Sequence, residues 1–117
     1  MLKILFHIDK PQRWKLVLEN AANSLYEGKI TGEKIQIEVV ANSAAVLQLS
    51  QKNADQEDLS AQIIALAENT VVFAACRNAM ENHRVFPQDL FPCVKIVPAG
   101  VVEIAQRQTD GYAYIKP

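Results

Sequence analysis

Five short apolar runs, at residues 2–8, 35–41, 71–75, 94–97 and 112–115, are separated by stretches of a dozen or more residues. Strands pair in parallel only when a crossover of that length, usually a helix, connects them. The alternation predicts a three-layer α/β/α sandwich around a mostly parallel five-stranded sheet. Residues 2–8 are interrupted by Lys3, with His7 near their end, which suits a strand buried on both faces. Val71-Val72-Phe73-Ala74-Ala75 is the most hydrophobic run and predicts a central strand. Residues 35–41 alternate at first and then become wholly apolar, the pattern of a strand near one sheet edge.

The intervening segments carry helix signals. Asp9, with Pro11 in the first turn and Gln12 three residues on, reads as an N-cap. Trp14, Val17, Leu18, Ala21 and Leu25 then form one apolar stripe, and Gly28 suits the C-terminal cap. Residues 44–49 read as a short helix and the polar residues 50–57 as an exposed loop. Leu59, Ile63, Leu66 and Ala67 mark a second amphipathic helix. Residues 76–83 have helix-compatible composition, whereas Pro87 and Pro92 make residues 86–92 a loop. The last helix spans residues 101–108, with Val101, Val102, Ile104 and Ala105 as its apolar positions. No repeat or linker divides the chain, so a single domain over residues 1–117 is expected.

Composition narrows the function. With 12 Lys plus Arg against 13 Asp plus Glu, the chain lacks the cationic surplus that phosphate backbones require, so no nucleic-acid partner is expected. No apolar stretch approaches the ~20 residues that span a bilayer, and the first nine residues do not form a secretory h-region. A cytoplasmic protein without a membrane partner is expected. The four glycines form neither GxGxxG nor a phosphate-binding loop, and Cys76 and Cys93 belong to no Cys/His cluster, so neither cofactor nor metal is expected. An apolar share of 50% exceeds what the sheet alone absorbs and suggests an apolar subunit interface.

In open parallel sheets ligands bind beyond the carboxyl ends of the strands. Here that rule gathers His7 and Asp9, Asn42 and Ser43, Cys76 and Asn78, and the Ala99-Gly100 turn. Cys76 is the candidate nucleophile, because a thiol at a helix N-terminus meets unpaired N–H groups and a positive dipole end that favour the thiolate. A buried cysteine acting as a small hydrophobe is the competing reading. His7 is a possible base beside Cys76 or simply a satisfied core histidine. Asn42 and Ser43 serve equally as caps or pocket groups, and Gly100 as a turn residue or a place for close backbone approach. His83 falls at a helix end, where an exposed imidazole is ordinary. Cys93, at a strand entrance, lies at the opposite sheet edge and reads as structural.

The strand ending Phe73-Ala74-Ala75-Cys76 with Asn78 beyond it, the turn Val97-Pro98-Ala99-Gly100-Val101 and the closing Gly111-Tyr112-Ala113-Tyr114-Ile115 resemble the DsrE/DsrF-like (YchN-like) family. His7 after the first run and Val39-Val40-Ala41-Asn42 at the end of the second extend the likeness over nearly the whole chain. The resemblance implies a small α/β protein that assembles into trimers or hexamers and passes sulfur as a cysteine persulfide. Cys76 matches the sulfur-accepting position, and His7, Asn42 and Asn78 match family-like positions. The implied activity is that of a sulfur carrier or sulfurtransferase with protein donors and acceptors. Its rivals are a non-catalytic oligomeric binding or scaffold protein, and Cys-His hydrolysis by Cys76 and His7.

Overall fold

The computed structural model describes residues 1–117. Its strands β1 (Leu2–Ile8), β2 (Ile35–Ala41), β3 (Val72–Cys76), β4 (Val94–Val97) and β5 (Ala113–Ile115) form one sheet in the order β4-β3-β2-β1-β5. Every neighbouring pair is parallel. The expected α/β sandwich is thus present, with a sheet that is wholly rather than mostly parallel. β2 is the central strand, not one near an edge, and β3 lies inside the sheet, one place off centre. The alternation in β2 misleads because its polar member Glu38 is only 2% exposed and pairs with Lys95.

Helices α1 (Trp14–Thr31), α2 (Gln51–Gln56), α3 (Ser60–Glu68), α4 (Arg77–Asn82) and α5 (Gly100–Thr109) complete the layers. Successive strand residues point to opposite faces, so each strand divides its side chains between two cores. Ile4, Phe6 and Ile8, Ile37 and Val39, and Phe73 and Ala75 join Trp14 and Leu18 of α1, Ile63 of α3 and Met80 of α4 in a cluster of 26 buried residues. Leu5, Val40, Ala74 and Val97 face the other way and meet Ile104 of α5 in a cluster of five, with half-buried Tyr112 packed against it.

Several local expectations shift. Asp9 caps nothing: the first helical turn, Pro11–Arg13, follows Lys10 and has no side-chain cap, while Asp9 pairs with Lys116 at 3.1 Å. Gly28 lies inside α1, which ends at Gly32 with φ of 78°, a left-handed conformation that glycine adopts without strain. Residues 50–57 are not an exposed loop, because α2 anchors them through buried Ser50 and Ala54. Asn53 Nδ2 donates to Leu47 O at 2.8 Å and Gln51 Nε2 to Leu90 O at 3.0 Å. Such polar anchoring leaves no apolar period to read. In α5, Val101, Val102 and Ala105 are exposed while Glu103 turns inward beside Lys95.

Candidate functional site at the carboxyl edge of the sheet

Because all five strands run in parallel, their carboxyl ends share one edge, and the register decides which residues meet there. Ala41 of β2 lies opposite Ala75 of β3, so Asn42 and Cys76 leave the sheet at the same level. Cys76 is the residue on which β3 ends and α4 begins, and it is 7% exposed. Across from it, α5 starts at buried Gly100. A Cβ at position 100 would lie 3.2 Å from the Cβ of Asn42 and 3.2 Å from the Cβ of Cys76. Three of the expected site residues therefore pack together, and the missing side chain of Gly100 lets the α5 N-terminus approach the thiol-bearing residue. The first bond of that helix runs from Glu103 N–H to Ala99 O at 3.1 Å, leaving the amides of its first turn as unpaired donors.

His7 belongs to the same edge but does not act on Cys76. Its Nε2 lies 3.0 Å from Asn42 Oδ1 and its Nδ1 2.6 Å from the hydroxyl of Tyr114. A carboxamide oxygen only accepts, so Nε2 carries the hydrogen; Nδ1 of the neutral ring then accepts from the Tyr114 O–H. Both ring nitrogens are engaged, and β2 separates β1 from β3. That removes Cys-His hydrolysis, whose base must bond the nucleophile. Tyr114 was not among the candidates expected from the sequence. Its signal is its place in β5: it pairs with Leu5, and therefore faces the same side of the sheet as His7.

The sequence profile of the DsrE/DsrF-like family matches residues 3–117. The chain belongs to that family. A solved structure of a protein of unknown function from Methanobacterium thermoautotrophicum is 33% identical, with a TM-score of 0.87 over 100% of both chains. A conserved protein of unknown function from Bacteroides thetaiotaomicron, 13% identical with a TM-score of 0.72 over 98% of this chain and 94% of its own, shares the fold. No curated protein matches the chain.

Other expected residues of this DsrE/DsrF-like chain are placed differently. Ser43 is exposed, has φ of 50° and makes no side-chain cap; a non-glycine residue there costs on the order of 1 kcal/mol. Asn78 is exposed on the first turn of α4, outside the His7–Asn42 network. Asp9 is held below the usual carboxylate range: desolvation opposes this, but the Lys116 hydrogen bond and charge outweigh it. Cys93 does lie at the opposite edge, before β4, yet it is exposed rather than buried as a structural thiol. Desolvation of its sulfur pushes its pKa up, against a backbone hydrogen bond that lowers it.

The largest cleft, about 660 Å³, lies at the amino ends of the strands between α1 and α3, lined by Leu18, Leu25, Tyr26, Ile35 and Leu66 among others. It contains neither cysteine nor histidine, so volume and chemistry point to different places, and the chemistry identifies the carboxyl edge. No helix is long and apolar enough to cross a membrane, and no three His, Cys, Asp or Glu side chains gather as a metal site.

Beneath α5 lies a feature the sequence concealed. Glu38 and Glu103 are 2% and 8% exposed, with Lys95 Nζ 3.3 Å and 3.0 Å from their oxygens and Arg107 Nε 3.8 Å from Glu103. Desolvation and the hydrogen bond to Glu103 push Glu38 up to about 7, against the charge of Lys95. Glu103 is lowered by its hydrogen bond from Glu38, against desolvation, and further by Lys95.

Proposed function

We propose that residues 1–117 act as one domain that carries sulfane sulfur as a persulfide on Cys76. The observation that carries this reading is the packing of Cys76 against Gly100 at the N-terminus of α5, whose unpaired first-turn amides would favour negative charge on a nearby sulfur. Family membership supports it, because Cys76 stands at the sulfur-accepting position of the resemblance. The Cys76 thiolate attacks the outer sulfur of a donor R–S–SH; a new S–S bond forms at Cys76, the donor S–S bond breaks, and RS⁻ leaves with the electron pair. An acceptor thiolate then repeats the exchange. No external oxidant or reductant is required.

With only 7% of Cys76 exposed, a slender group such as a persulfide terminus suits the access. In this reading Asn42 and Gly100 adjoin the carrier, His7 holds Asn42, and exposed Asn78 and Ser43 form the rim offered to a donor or acceptor protein. Exposed Val101 and Val102 on α5 and Tyr114 and Ile115 on β5 favour a homo-oligomer, taken as the trimer or hexamer that the resemblance implies. The cytoplasm, where thiols stay reduced, suits the Cys76 chemistry. The burial of Cys76 also favours a second reading, a non-catalytic oligomeric binding or scaffold protein whose thiol is packing. Incubation with a small persulfide followed by intact-mass measurement separates the two. One added sulfur on the wild type, absent from Cys76→Ser, is the expected result; no increment, or an equal one on the variant, eliminates the carrier.

A further inference from the structure

We propose that Tyr114 is a positioning residue for the sulfur on Cys76, acting through His7 and Asn42. This deepens the persulfide reading and rests on it. The three side chains form a chain of donors with one direction: the Tyr114 hydroxyl donates to His7 Nδ1 at 2.6 Å, and His7 Nε2–H donates to Asn42 Oδ1 at 3.0 Å. A neutral imidazole has one donor and one acceptor, so the phenol selects the tautomer that Asn42 needs.

Asn42 then has one polar group left. Its oxygen is taken by His7, and the amino group of the planar carboxamide points elsewhere. Gly100 and Cys76 are close to Asn42: a Cβ on residue 100 would lie 3.2 Å from the Cβ atoms of both Asn42 and Cys76. The Asn42 side chain makes only the hydrogen bond to His7, and its Nδ2 has no protein acceptor, the Cys76 sulfur included. In this proposal the free donor serves the outer sulfur once Cys76 carries a persulfide. Chains of hydrogen bonds polarise one another, so the phenol strengthens that last donor without touching it. The C-terminal edge strand thus completes the site: β5 pairs with β1 over Ile4, Leu5 and Phe6, and this pairing delivers Tyr114 to His7.

The test uses the full chain in a Cys93→Ser background, so that Cys76 is the only thiol. Nitrogen-15 NMR of the His7 ring reads the tautomer, iodoacetamide alkylation reads Cys76 reactivity, and intact mass after treatment with a small persulfide reads loading. The wild-type ring is expected as the Nε2–H tautomer. Tyr114→Phe, which keeps the ring and removes the donor, is expected to mix the tautomers and slow both alkylation and loading about fivefold, the worth of one hydrogen bond. Asn42→Ala is expected to slow both at least as much and to make Tyr114→Phe silent when combined with it. An Nδ1–H ring in the wild type overturns the inference, as do Tyr114→Phe rates within twofold of wild type. A wild type that alkylates but never gains sulfur defeats the persulfide reading instead, while the ring and alkylation results still decide the role of Tyr114.

Discussion

One face of the sheet is covered by α1, α3 and α4 over a cluster of 26 buried residues, the other by α5 over a cluster of five. The first cluster is apolar throughout, from Trp14 and Phe73 to Ile63. On the second face, Leu5, Val40, Ala74 and Ile104 are interleaved with Glu38 and Glu103, two buried carboxylates facing Lys95 and Arg107. The site opens where that thin layer ends, at Gly100. The difference separates two tasks. Burying apolar area holds the domain together, whereas the thinner, charge-seated helix sets where its own N-terminus meets Cys76.

The largest effect should come from breaking the thick side. Phe73 is fully buried against Trp14, their ring centroids 6.3 Å apart. Phe73→Ala should cost about 3–5 kcal/mol, and Ile104→Ala on the thin side about 2 kcal/mol, in urea denaturation. Equal losses would mean that the two faces share the burden and that the asymmetry is only one of count.

The charges under α5 predict a pH dependence confined to the thin face. In the folded protein Glu38 titrates at about 7, above its ordinary value of 4.5. The native state therefore holds more protons than the unfolded chain between those values, and stability falls as pH rises through that window, with no further loss from this group above it. The expected fall from pH 5 to pH 8 is on the order of 2 kcal/mol, after the opposite slope that lowered Glu103 supplies near and below pH 4.5. Glu38→Gln keeps the shape and removes the titration, so its stability should be nearly flat over the same range. An unchanged slope in that variant would move the titrating group elsewhere.

These particulars show why some of the molecule could be read from its residues and some could not. The parallel sheet and most of its helices follow from local patterns: apolar runs at strand length, and the stripe Trp14, Val17, Leu18 and Ala21, all buried. That Asn42, Cys76 and Gly100 share one edge also follows, because the carboxyl-edge rule needs only strand direction; their contact depends on the register of β2 against β3. Strand order depends on pairings between segments distant in the chain, so β2 looked like an edge strand once Glu38 was counted as solvated. Tyr114 was hidden for the same reason, since its partner His7 is 107 residues away. Helix α2 was hidden because side-chain hydrogen bonds rather than an apolar stripe hold it.

The smallest change in stability should give the sharpest reading of the comparison. Gly100 has no left-handed backbone to demand glycine, so its requirement is space. Alanine favours a helix by up to ~1 kcal/mol over glycine, a gain tempered at the first position of α5. Against this, the added Cβ meets the Cβ atoms of Asn42 and Cys76, each at 3.2 Å, and α5 or the strand ends must yield by a few tenths of an ångström. The two effects oppose each other, and the net cost should be about 1 kcal/mol or less. Yet the displacement falls at the contact of the α5 N-terminus with Asn42 and Cys76. Gly100→Ala should therefore slow Cys76 alkylation by about fivefold while hardly shifting the denaturation midpoint. A variant that loses stability without losing reactivity would show that Gly100 serves only the packing of the thin face.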